Sequence, residues 1–181
     1  MLKMLFPLVL MVTIPLAAEQ LKENLLVKKG DFELGITANY AVEGQKTDVL
    51  DNSLGFGLTA SYHFLDAWSI NLKYKNFSDV DTSIVNQEPL NIHRYLMNVH
   101  YSFLGGESQT PYLIGGLGYA VYEGENTEST FHEDGSIYNL GLGYRYQVTE
   151  KMSILAESIY HNNFKNNNTG AILTLGTNYH F

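Results

Sequence analysis

Seven ionisable residues stand singly in stretches where large apolar residues take every second place: Glu33, Glu43, Lys73, Lys75, Arg94, Arg145 and Glu157. Carboxylates and cations set among apolar neighbours can do one of two things. They can neutralise one another in a low-dielectric space, or they can line an aqueous path for ions or protons. A second, acidic set clusters where the alternation stops: Asp48 and Asp51, then Asp79, Asp81 and Glu88, then Glu123, Glu125, Glu128, Glu133 and Asp134. Their plain reading is solvated surface. Their functional reading is bridging of divalent cations to phosphates, or binding of a basic partner. The spacing fits no defined calcium loop, and neither a metal site nor a cofactor is expected. Cys is absent, so no disulfide or thiolate site can form. A net charge of −8 argues against a nucleic-acid partner.

The elements that must position these charges are strands. In the last residues, Ala171, Leu173, Leu175, Thr177, Tyr179 and Phe181 alternate with Ile172, Thr174, Gly176, Asn178 and His180, a period of two. The same period marks seven earlier segments, at about 31–44, 53–64, 68–75, 91–104, 111–123, 138–148 and 152–160. Long polar connections at 45–52, 76–90, 123–136 and 161–169 alternate with tight turns near Asp66, at 105–110 and at Thr149-Glu150. Pro111 is tolerated because it opens its strand.

One face of every segment carries large apolar residues and no Asp, Glu, Lys or Arg. The other carries Gly, Ser, Asn and nearly all the strand charges. A soluble sandwich would show the reverse at its surface, and a lipid environment selects this pattern. Aromatics such as Trp68, Tyr101, Tyr144 and Phe181 gather at the short-turn ends. Tyr40, Tyr74, Tyr95 and Tyr138 gather at the long-loop ends, giving two interfacial girdles. Residues 1–18 read as a secretory signal: Lys3, an apolar stretch from Leu5 to Leu16, and an exit at Ala17-Ala18. Residues 19–30 are expected to be a periplasmic lead-in, and 31–181 the transmembrane barrel. The fold predicted is all-β: an eight-stranded antiparallel up-and-down transmembrane β-barrel with short periplasmic turns and long extracellular loops.

The stretch Pro111-Tyr-Leu-Ile-Gly-Gly-Leu-Gly-Tyr119, the run Gly-Leu-Gly-Tyr-Arg-Tyr at 141–146 and the terminal Tyr179-His-Phe181 give the chain its likeness to a family. It resembles the OmpA- and OmpX-type eight-stranded barrels, the outer membrane beta-barrel domain family. The resemblance implies residence in the outer membrane of a Gram-negative bacterium, among lipid and lipopolysaccharide. It also implies that Tyr179 and Phe181 form a C-terminal insertion signal read by the barrel assembly machinery. A monomer is expected, with no peptidoglycan-binding domain after the last strand.

An eight-stranded lumen is just wide enough for side chains to fill. Lys73, Lys75, Arg94, Glu33, Arg145 and Glu157 are therefore expected to form an interior charge network of structural purpose. Pairing the sixth and seventh strands about their turn sets Glu157 opposite Gly143 and diagonal to Arg145, which predicts an Arg145–Glu157 bridge. The function expected is non-enzymatic: membrane integrity, adhesion or ligand binding through the acidic loops. The inward glycines leave room for an alternative, a small low-conductance pore. A third option is a lipid A deacylase, which also resembles an eight-stranded barrel. Its signature of His followed two places later by Ser meets His161-Asn162-Asn163 here, and an amide is no nucleophile. His161 is expected at a loop edge.

Overall fold

The computed structural model describes residues 27–43, 53–80, 90–104, 108–126, 129–164 and 169–181. The strands are β1 (Phe32–Glu43), β2 (Ser53–Leu65), β3 (Trp68–Val80), β4 (Leu90–Ser102), β5 (Gln109–Asn126), β6 (Ser129–Thr149), β7 (Met152–Asn163) and β8 (Thr169–His180). Each pairs antiparallel with its sequence neighbours, and β8 returns to β1, so the sheet closes. The closing seam is continuous from Glu33↔His180 to Glu43↔Gly170. Among the described residues no helix is long and apolar enough to cross a membrane; the crossing is made by strands.

The wall follows the period of two. Ile36, Leu58, Leu72, Met97, Leu117, Leu140 and Leu175 point outward and are exposed, while Lys75 and Arg94 point inward and are 0% exposed. The molecule is thus apolar outside and polar inside. At the short-turn end Trp68 lies 4.8 Å from Tyr101, and Phe181 lies 6.0 Å from Phe32 and 4.9 Å from Tyr179, ring centre to ring centre. At the opposite end Tyr74 lies 5.3 Å from Tyr95, and Tyr138 lies 5.1 Å from Phe164. These pairs form the two girdles at the edges of the apolar band. Before β1, Gly30 takes a left-handed φ of 98° and donates its N–H to the His63 carbonyl at 2.7 Å. Val27 is buried beside this turn.

Several strand ends lie beyond the sequence-based boundaries. β3 runs to Val80, β7 includes His161 to Asn163, and β8 starts at Thr169. The largest correction concerns 123–136, read as a loop. Here β5 and β6 keep pairing through Glu123↔His132 to Asn126↔Ser129. A two-stranded ribbon standing clear of the bilayer needs no apolar face, so it leaves no alternation to read. The leader 1–18, residues 19–26 of the lead-in, and Asp48, Asp51, Asp81, Glu88 and Glu128 lie outside the described residues.

Depth along the wall sets the tolerance for charge. Leu142 faces outward between the girdles and Val148 faces outward beside the short turns. Leu142→Arg should cost about 2–4 kcal/mol of folding free energy and Val148→Arg about 0–1 kcal/mol. Urea unfolding in lipid vesicles, followed by the folded-to-unfolded gel shift, measures both; equal costs would contradict the placement of the band.

Candidate functional site

The inward residues form layers along the lumen. Nearest the short turns, Glu33 of β1 is buried and gathers four partners from three strands. His63 Nε2 lies 2.8 Å and Arg145 Nη1 3.1 Å from its Oε1, His180 Nδ1 lies 3.3 Å away, and Asn178 Nδ2 donates to Oε2 at 2.7 Å. An ionised carboxylate only accepts, so the ring nitrogen of His63 is the donor. His180 reaches back to Ser153 Oγ at 3.0 Å through Nε2.

The next layer is built on Glu157 of β7. Lys73 of β3 sends its Nζ across the lumen to both carboxylate oxygens at 2.5 Å, and the Tyr112 hydroxyl donates to Oε1 at 2.9 Å. The Tyr112 ring stacks on His100, with centres 4.9 Å apart and planes 21° apart. Above this, Lys75 Nζ donates to Thr174 Oγ1 at 2.7 Å, and that hydroxyl donates to Asn39 Oδ1 at 2.9 Å. Glu33, Arg145, Glu157, Lys73 and Lys75 thus each have hydrogen-bonding partners, the condition under which a charge persists in a low-dielectric interior.

Toward the long-loop end the lumen turns apolar. Phe77, Ile92, Leu96, Tyr122, Ile137 and Ile172, with Ala41 and Ala120, form one buried cluster. The Arg94 guanidinium stands under it, 5.3 Å from the centre of the Phe77 ring, a cation–π distance. Glu43 ends β1 beside Gly170.

The Arg145–Glu157 bridge expected from the sequence is replaced by two others, Arg145–Glu33 and Lys73–Glu157. The register is as expected, with Gly143 opposite Glu157 and Arg145 opposite Leu155. The partner differs because Tyr112 occupies the space beside Gly143, where an added Cβ would run into its ring. Tyr112 therefore takes the near side of Glu157, and Arg145 turns to Glu33. In a narrow closed lumen a side chain reaches strands that are not its neighbours, which pairwise reasoning along one hairpin omits. Nor are the glycine faces empty: Gly116 and Gly118 make room for Asn98 and Leu96. His63, Tyr112, His180 and Asn178 were missed as partners, although the alternation already put them on the inward face. His161 is a further correction. It lies within β7 and is buried, facing the lumen. Among the described residues no group of three or more His, Asp or Glu could hold a metal ion.

The corrected pairing makes a direct prediction. Lys73→Ala should cost roughly 3–5 kcal/mol by leaving Glu157 short of its cation, while the paired change Lys73→Met with Glu157→Leu should cost far less. A double-mutant cycle should give a large coupling for Arg145 with Glu33 and a small one for Arg145 with Glu157. The reverse ranking in urea unfolding would restore the earlier pairing.

The architecture has many solved counterparts. The N-terminal β-barrel domain of OprF from Pseudomonas aeruginosa superposes with a TM-score of 0.63 at 18% identity, covering 86% of this chain and all (100%) of that one. Neisserial surface protein A gives 0.67 at 17%, covering 84% and 100%. Ail, the attachment invasion locus protein of Yersinia pestis, gives 0.63 at 17%, covering 84% and 99%. These identities establish a shared fold. No curated protein sequence matches the chain. The family described as outer membrane protein beta-barrel domain matches residues 4–181. The closed barrel, apolar outside and polar inside, agrees with that match: this chain belongs to the outer membrane protein beta-barrel domain family and resides in the outer membrane.

Proposed function

We propose that the protein is a non-enzymatic surface-interaction protein, a closed barrel that holds an acidic ribbon outside the cell for a basic partner. The β5–β6 ribbon carries this reading. β6 pairs with β7 only as far as Ile137↔Asn163, and β5 with β4 only as far as Asn91↔Glu123, yet β5 and β6 continue together to Asn126↔Ser129. The eight residues of β6 from Ser129 to Ser136 thus stand beyond its last β7 pair, roughly 25 Å along the strand. Residues 123–134 contain Glu123, Glu125, Glu128, Glu133 and Asp134 and no Lys or Arg. Such a field favours cationic partners and repels anionic ones. Ail, by contrast, has been crystallised with the heparin analogue sucrose octasulfate, a polyanion. The shared fold therefore implies no shared ligand.

The pore alternative is opposed by the apolar cluster around Phe77, Ile92 and Ile137, which packs inside the lumen toward the long loops. An apolar constriction is a barrier to ions. The deacylase option lacks its hydroxyl at Asn163, and His161 faces the lumen. We also assign Tyr179 and Phe181 to recognition by the barrel assembly machinery, supported by the place of Tyr179 on the closing strand opposite Leu34 and by the bond from the Phe181 N–H to the Phe32 carbonyl at 3.0 Å.

Two measurements test the reading. Folded protein in planar bilayers should give no steady single-channel openings; reproducible openings would favour the pore. In vesicles, the protein should bind a lysine-rich peptide with an affinity that falls as salt rises. Replacing the five carboxylates of residues 123–134 with amides should abolish that binding. Unchanged binding by the amide variant would remove the ribbon from the mechanism.

A further inference from the structure

The lipid-facing wall is not filled evenly. Across β7, β8, β1 and β2, in the half nearest the short turns, it carries an open groove of about 420 Å³, a size within the roughly 300–1,000 Å³ range of small-ligand sites. Leu34, Ile36, Leu58, Met152, Thr177 and Tyr179 line it with outward side chains. The register explains why the wall dips here. Thr177 stands opposite Ile36 on one side and Ile154 on the other, and Leu175 and Tyr179 flank it on its own strand. One short side chain thus sits among four long ones.

The chemistry of the groove is ordered along its length. At the rim, Lys151 of the β6–β7 turn holds its Nζ 6.0 Å from the centre of the Tyr179 ring. Glu150 shares that turn, but it is the ammonium that the ring draws to the mouth of the groove. A cation–π contact engages the charge and leaves the N–H donors for an oxygen acceptor. Thr177 follows two residues inward, roughly 7 Å along the strand, and brings a hydroxyl. Past it, Ile36 and Leu58 continue the groove as exposed hydrocarbon. Cation, hydroxyl and hydrocarbon in this order match the phosphate, ester carbonyl and acyl chain of a glycerophospholipid. The short turns face the periplasm, so that lipid belongs to the inner leaflet. We propose that this groove is a binding site for one anionic phospholipid of the inner leaflet, its phosphate on Lys151, an ester carbonyl at Thr177 and an acyl chain against Ile36 and Leu58.

The groove can be closed from the lipid side without touching the lumen, since an apolar side chain at position 177 keeps the wall apolar. Native mass spectrometry of the folded barrel, titrated with phosphatidylglycerol or with phosphatidylcholine of the same acyl chains, reads the site directly. Wild-type protein should retain one phosphatidylglycerol in preference to phosphatidylcholine. Thr177→Phe should abolish that retention. Lys151→Gln should weaken it about tenfold, the loss of one charge-assisted hydrogen bond, and leave phosphatidylcholine unchanged. Equal retention of the two lipids, a ladder of several equivalent lipids, or retention unaffected by Thr177→Phe would overturn the proposal. So would a lipid-free dimer that Thr177→Phe dissociates, since the occupant would then be a second copy of the chain. Should Thr177→Phe fail to give the folded gel shift, Thr177→Leu fills the same space with a smaller group, and the same outcomes decide.

Discussion

The whole structure depends on one constraint: in hydrocarbon a backbone N–H or C=O has no water to bind. Each unpaired group costs several kcal/mol, so a sheet can cross only if its first and last strands meet. The β1–β8 seam is that meeting. With eight strands, closure leaves a lumen only wide enough for side chains. Outward residues must then be apolar and inward residues must pack and satisfy one another. The Glu33 and Glu157 layers, the Lys75–Thr174–Asn39 chain and the apolar cluster at Phe77 are the solutions reached at successive heights.

Those solutions divide the interior in two. The short-turn half is polar and ionic. The long-loop half holds the apolar cluster, with Arg94 against Phe77, beside the buried polar residues Asn139, His161 and Asn163. The partner of each charge is set by crowding across the lumen: Tyr112 stands where Arg145 would have approached Glu157, because Gly143 leaves that room.

How much of this was legible in the sequence follows from which signals are local. The period of two along Phe32 to Val42 or Tyr138 to Val148 is local, so strands, faces, girdles and barrel class could be read directly. Strand ends could not: β3 beyond Lys75 and the ribbon at 123–136 lie where water replaces lipid, and polar residues there satisfy strand and loop alike. Because Phe77 fell in a segment read as loop, the apolar cluster it anchors went unseen. The Glu33–Arg145 and Lys73–Glu157 pairs were not legible either, since partners 112 and 84 residues apart are fixed by the closed cross-section. Alternation tells only which residues share the inside.

The Glu33 and Glu157 layers draw on all eight strands, seven through hydrogen bonds and β4 through the stack of His100 on Tyr112. β1 gives Glu33, β2 His63, β3 Lys73, β4 His100, β5 Tyr112, β6 Arg145 and Glu157 comes from β7, while β8 adds Asn178 and His180. The network thus reaches every strand once His100 is counted through its stack on Tyr112. It works as a combination lock on assembly. A strand displaced by two residues keeps its apolar face toward lipid and its ladder intact, so neither the bilayer nor the backbone objects. The misplaced carboxylate does: it faces the wrong layer and loses the hydrogen-bond partners of its own. The lumen thereby rejects errors of threading that the wall alone would accept, and the final docking of β8 on β1 completes the combination.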